Sequence, residues 1–302
     1  MIIIDITSGD TALNQQAVRA LQTEHNIRTE SVEASSFSSF TAMRIATALK
    51  KNPAEVIVCH RRKDLMSAIS ARKIATAEAA KYSIVYAPLT EEYITERLID
   101  ELTDNIDAVV VPAEKFTKLF SNKKTVVIPP TVFTNEGTNT YTPSTCNQLK
   151  IGWIGDIDEA ERLDRLIRTV AAMKPGKFAV RVYGTGSPRK VMPIVKGARH
   201  IDNLDLEWLG DKTNFTQALG QVDIAAVTST IATVPQILAH KAGIPMLKTD
   251  SIAEITDTLK ALLSGEETLS TLSQQSVNEY NTRYSPSFHV EQWRKLLLSL
   301  RN

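Results

Sequence analysis

The sequence predicts an α/β protein made of two doubly wound, parallel-sheet domains of similar size. Three observations carry this. Runs rich in Val and Ile alternate with helical patterns along the whole chain, the order of a parallel sheet covered on both faces. A fresh strand, glycine turn and helix opens in mid-chain at residues 149–173, LKIGWIGDIDEAERLDRLIRTVAAM. A segment rich in Thr, Asn and Pro, without periodicity, stands just before it. A length of 302 residues also suits two domains better than one.

Taken in order, residues 1–6 form the first strand, Ser8-Gly9-Asp10 a turn, and residues 11–24 a helix through Leu13, Ala17 and Leu21. A more polar strand at 29–33 follows, then a Ser-rich loop and a helix over 40–51 that stops before Asn52-Pro53. The run EVIVCH at 55–60 is a buried strand, and Asp64 caps a helix over 65–81. Strands at 83–86, 106–111 and 125–128 complete the series, with helices over 91–103 and 115–120 between them. Pro129-Pro130 ends the pattern, and residues 131–149 read as a linker.

The second half repeats the theme with strands at 150–154, 178–183, 206–209, 222–227 and 244–247. Leu163, Leu166, Ile167, Val170 and Ala171 recur at the spacing of one helical face, and Asp158 with Glu161 suits a capping box. Further helices are expected over 189–198, 213–219, 234–242, 252–263 and 269–280, with a last one over 288–300. The expected organisation is therefore domain 1–130 completed by the closing helix 287–302, linker 131–149, and domain 150–286. In such sheets ligands sit outside the carboxyl ends of the strands, so a cleft between the domains is the expected site. Removing the closing helix is expected to loosen the two halves while leaving each core folded.

Composition excludes several classes. A net charge of +1 gives no global attraction to nucleic acid, and leaves at most peripheral contact with a membrane. No stretch approaches the roughly 20 apolar residues that span a bilayer. The start of the chain lacks the basic opening and apolar length of a signal peptide. Two cysteines far apart, Cys59 and Cys146, fit a reduced cytoplasmic protein. His200, His240 and His289 are isolated and no pair has metal-ligand spacing, so no metal and no bound cofactor is expected.

Candidate site residues follow from strand ends. Gly155, and Gly184 with Gly186, let strand-to-helix turns bring backbone N–H groups close to a phosphate or ribose, or simply make tight turns. Arg162 and Arg165 lie within the next helix, able to fork onto a diphosphate or to pair with a neighbouring carboxylate. Thr228, Ser229 and Thr230 stand between a strand and a helix, where hydroxyls and amides hold a phosphate or cap the helix. His60 follows the strongest N-terminal strand, with Arg61, Arg62 and Lys63 after it. It is the candidate to act on an acceptor hydroxyl, the basic run being an anion site or a solvated loop.

Several segments, in order, resemble one family. KIGWIGDIDEAERLDRLI matches a domain-opening strand, glycine loop and helix; VRVYGTGSPRK matches a second strand and G-x-G turn. LEWLGDKTNFTQALGQVDIAAVTST and ILAHKAGIPML match the blocks that follow, and NIDAVVVPAEKFTKLF, KKTVVIPP and YSPSFHVEQWRKLL match the flanking pieces. The chain is similar to the retaining, family 4-like nucleotide-sugar glycosyltransferases of the GT-B fold, two Rossmann-like doubly wound domains facing a cleft. That resemblance implies metal-independent transfer of a hexose-type sugar from a nucleotide sugar to a glycan, lipid-linked or protein acceptor. The donor would bind the C-terminal domain.

The departures fall on the chemistry. The positions of the family's two glutamates hold Thr230 and Leu238, and its pyrophosphate-clamping Arg and Lys fall at Asp156 and Glu161. The histidine usual after the fourth N-terminal strand is absent, Tyr86 running into Ala87-Pro88. With its site motifs degenerate, the chain has a rival reading as a non-catalytic binding or partner subunit of the same fold. A sugar-nucleotide epimerase is a third reading.

Overall fold

A computed structural model describes residues 1–7, 21, 27–34, 38–76, 80–88, 90, 93–94, 100–133, 141, 148–154, 160–174, 176–183, 188–210, 220–227, 231–249, 251–265 and 267–300. They divide into two compact units, Met1–Phe133 with Arg283–Asn302, and Thr134–Thr282. All but Leu21 of the helix expected over 11–24, the helix expected over 213–219, and most of the 131–149 segment lie outside the described residues.

In unit 1 the described elements are β1 (Ile2–Thr7), β2 (Arg28–Glu33), α1 (Ser38–Lys51), β3 (Val56–Cys59), α2 (Arg62–Ile74), β4 (Ser83–Tyr86), α3 (Asp100–Asp104), β5 (Ala108–Val111), a 3₁₀ turn (Glu114–Phe120) and β6 (Thr125–Val127). The strands are all parallel, in the order β2-β1-β3-β4-β5-β6. Alternating side chains of this sheet enter opposite cores. Ile3, Val56, Val58, Val85, Ala108 and Val110 share one buried cluster with Val290, Trp293, Leu296 and Leu297 of the closing helix.

Unit 2 holds β7 (Leu149–Ile154), α4 (Ala160–Ala172), β8 (Phe178–Tyr183), α5 (Pro188–Ala198), β9 (Leu204–Gly210), β10 (Ile224–Val227), α6 (Val234–Ala242), β11 (Met246–Lys248), α7 (Ile252–Ser264) and α8 (Leu269–Glu279). Its parallel strands run β11-β10-β7-β8-β9. One face of that sheet, with Ile151, Trp153, Val180, Val182, Ile224 and Ala226, packs against Leu163, Leu166 and Val170 of α4 and Ile255 and Leu259 of α7. The residues of α4 are the periodic set read from the sequence.

Past α8 a π-helical turn (Tyr280–Tyr284) leads into α9 (Pro286–Leu298), which belongs to unit 1. Ser285 starts α9 by accepting the Phe288 N–H, and Pro286 occupies a first-turn position where a missing N–H costs nothing. Because α9 supplies four buried side chains to the unit 1 core, removing it cannot leave that core intact. The expectation that truncation spares both cores is corrected on this point.

Two aspartates do the same job in the two sheets. Asp107, one residue before β5, accepts the Ile84 N–H at 2.7 Å. Asp223, one residue before β10, accepts the Lys150 N–H at 2.8 Å. Each satisfies a donor at the amino end of the neighbouring strand, which would otherwise lack a partner. Asp223 therefore has a structural task at the amino end of the unit 2 sheet, opposite the carboxyl ends of its strands.

Candidate functional site

In unit 2 the chain winds outward from β7 through β8 to β9, then returns to β10 on the other side of β7. The order reverses between β7 and β10, and in open α/β sheets ligands bind outside the carboxyl ends at such a point. The last rung of the sheet is a row of paired residues, Val227, Ile154, Tyr183 and Gly210. Gly155, Gly184 and Thr228 each follow one of these rung residues directly in the chain. Gly155, Gly184, Gly186, Thr228, Ser229 and Thr230 themselves lie outside the described residues.

Arg162 is placed on α4, but its side chain lies outside the described residues. Arg165, also on α4, donates from Nη1 to the Thr249 carbonyl at 3.4 Å, at the end of β11. On α6, which Thr233 precedes, Gln236 Oε1 is buried without a hydrogen-bond partner among the described residues. Leu238, where the sequence resemblance implies a glutamate, is a buried apolar side chain on the same helix.

In unit 1 the strand order reverses between β1 and β3, and there His60 follows β3. The ring is fully buried. Nε2 lies 2.9 Å from Asp5 Oδ1, and Nδ1 lies 2.8 Å from the Ala87 carbonyl just past β4. A carbonyl only accepts, and a carboxylate only accepts, so the ring donates from both nitrogens and carries a charge. Burial alone works against that charge. The hydrogen bond and charge of Asp5, the Ala87 carbonyl and the charge of Asp64 outweigh it and raise the pKa above the ordinary 6.5.

The expectation that His60 meets an acceptor hydroxyl is corrected here: it has no exposed surface and no free nitrogen. It ties β1, β3 and the end of β4 together. In the basic run after it, Arg61 is paired with Asp64 at 2.9 Å and that carboxylate also accepts the Arg61 N–H, while Arg62 and the exposed Lys63 open α2. Asp5 is the residue sequence reasoning passed over. Its signal was present, a lone carboxylate inside the apolar strand IIIDIT. Among the described residues no group of three or more His, Cys, Asp or Glu is placed to hold a metal ion, and no helix is long and apolar enough to cross a membrane.

No protein-family model matches the sequence, and no curated protein sequence does. Solved structures match. The apo form of WaaB, a lipopolysaccharide outer core galactosyltransferase, aligns over 99% of both chains with a TM-score of 0.74 and 12% identity. The protein has the GT-B fold. At this identity the likeness to GT-B glycosyltransferases speaks for architecture, not for donor or acceptor. The catalytic domain of Arabidopsis thaliana starch synthase IV, bound to ADP and acarbose, aligns over 99% of this chain and 98% of its own at TM-score 0.63 and 9% identity. S. aureus MnaA, bound to UDP, aligns over 99% of this chain and 97% of its own at TM-score 0.54 and 14% identity.

Proposed function

We propose that the protein is a cytoplasmic, metal-independent retaining glycosyltransferase, moving a hexose-type sugar from a nucleotide sugar to a glycan, lipid-linked or protein acceptor. The observation that carries the donor half is the carboxyl edge of unit 2. There the reversal between β7 and β10 leads directly into Gly155, Thr228, Ser229 and Thr230, with Gly184 and Gly186 one strand away. Similar folds holding ADP and UDP support a nucleotide as the ligand.

Breaking the anomeric bond leaves negative charge on the departing diphosphate, which positive charge or aimed N–H dipoles must stabilise. Backbone amides of the three loops supply dipoles in this reading. Arg162 or Arg165 supplies the charge. His60 acts at a distance, holding the carboxyl ends of β1, β3 and β4 in register rather than touching an acceptor. Titrating the protein with a panel of nucleotide sugars, and following hydrolysis of each, tests this. The expected outcome is micromolar-to-millimolar binding of one nucleotide class and slow hydrolysis of its sugar; binding of none would sink it.

One observation favours a second reading, a non-catalytic subunit that keeps the fold: Leu238 sits in the α6 packing where an acidic residue would face a donor. That reading expects nucleotide binding without turnover and a stable complex with a protein partner. Turnover by the isolated chain decides between the two.

A further inference from the structure

Tyr183 closes the last rung of the unit 2 sheet, and its side chain is 3% exposed. Its hydroxyl is buried without a hydrogen-bond partner among the described residues. An unpaired buried hydroxyl forfeits its hydrogen bonds to water, so such groups are rare without a reason. Tyr82 in unit 1 shows the usual solution, a buried phenol donating to the Ala68 carbonyl at 2.7 Å.

The backbone beside Tyr183 is also unusual. Val182 pairs with Trp208, but Tyr183 pairs with Gly210, so Leu209 is an extra residue on β9. Bulges are rare in parallel pairs and recur where a side chain is re-aimed beside a site. Gly210 takes φ +69°, a left-handed conformation that glycine enters freely. Arg181, on the same face of β8, is engaged with Asp205 at 2.7 Å and Glu207 at 3.3 Å, leaving the phenol unserved. Burial raises the phenol's pKa, with Arg181 opposing and Glu207 adding, so the hydroxyl stays protonated and remains a donor.

Resting on the donor-site reading above, the geometry points to the Tyr183 hydroxyl as a hydrogen-bond donor to the nucleoside part of a bound nucleoside diphosphate. The phosphates belong at the reversal between β7 and β10. Tyr183 stands one strand beyond β7, about 5 Å past Ile154 at ordinary strand spacing, which is within the reach of the attached ribose and base. This contact is not part of the glycine and hydroxyl motifs that mark the site in the sequence.

The experiment compares wild type, Tyr183→Phe and Tyr82→Phe by calorimetric titration with UDP, ADP and GDP and with inorganic pyrophosphate, and by melting without ligand. Tyr183→Phe is expected to bind the preferred nucleoside diphosphate about 3- to 10-fold more weakly. Its ligand-free melting temperature should be equal or higher and its pyrophosphate affinity unchanged. Tyr82→Phe should melt lower yet bind as wild type does. If wild type binds a nucleotide and Tyr183→Phe binds it equally, the hydroxyl is a tolerated packing defect and the inference is overturned while the donor reading stands. An equal loss for pyrophosphate overturns the nucleoside assignment. Absence of nucleotide binding by wild type overturns both.

Discussion

His289 accepts the indole N–H of Trp293 at 3.1 Å, one turn further along α9. Its other nitrogen, Nδ1, lies 2.8 Å from the Pro129 carbonyl and must donate to it. The ring is therefore held neutral, in one tautomer. Unit 1 thus contains two buried histidines in opposite states, since His60 donates from both nitrogens.

The first prediction follows from the neutral one. Burial, only partly opposed by the Pro129 carbonyl, lowers the His289 pKa from 6.5 to about 4. The unfolded chain then binds a proton that the folded one refuses. The resulting stability is present above pH 6.5 and is lost as pH falls toward 4, a change of about 3 kcal/mol. Hydrogen exchange of β3 and β4 amides between pH 4 and 7 should show this slope. His289→Gln should be less stable at pH 7 but show a flatter acid limb; an unchanged limb would count against the assignment.

The charged histidine gives the reverse sign. The His60 pKa is raised, so its contribution is fully present below the ordinary value of 6.5 and is lost as pH rises through the raised one. Below pH 6.5, ¹⁵N spectra of the ring should show both nitrogens protonated. Asp5→Asn should abolish that signature and cost about 3–5 kcal/mol, because it strands one member of a buried pair. A neutral ring in wild type would refute the ion pair.

Trp293→Ala should cost about 3–5 kcal/mol in unit 1, since the indole is 1% exposed and touches the sheet core. Exchange protection should fall across β1, β3 and β4 and hold across β7, β8 and β10. Equal loss in both units would contradict their separate cores.

Gly152 lies in the central strand of unit 2, and a Cβ there would stand 2.8 Å from Val222 Cγ1. Gly152→Ala should destabilise unit 2 by about 1–3 kcal/mol through overpacking. In a Val222→Ala background the same change should cost measurably less. Additive losses in that double-mutant cycle would show that the contact does not govern the effect.

Most of the fold was legible because its signals are local. The Val and Ile runs of β3, β5 and β8 and the apolar stripe of α4 depend on residues next to one another in the chain. The polar strand β2 was read one residue short, over 29–33, and its register comes from pairing with β1. The site was less legible for the same reason. Asp5 and His60 meet across fifty-five positions, and nothing short of the β1–β3 pairing places them together. The 3₁₀ turn over Glu114–Phe120 was read as ordinary helix over 115–120, because the apolar spacing does not separate these windings, and the π-helical turn Tyr280–Tyr284 falls, but for Tyr280, in the gap between the helices read over 269–280 and 288–300. Tyr183 carried no sequence signal, as an unpaired hydroxyl is a property of its surroundings.

The cluster that joins β1, β3, β4 and β5 to α9 has a temporal side. A chain leaving the ribosome exposes residues 1–133 first, yet Val290, Trp293, Leu296 and Leu297 arrive only after the whole of unit 2 has been made. Unit 2 draws its core from one uninterrupted stretch and needs nothing that comes later. The half synthesised second is therefore the first able to finish folding, and the half synthesised first waits with one sheet face uncovered. For that interval its exposed Val and Ile side chains are a target for holdase chaperones, and the emergence of α9 is what releases them.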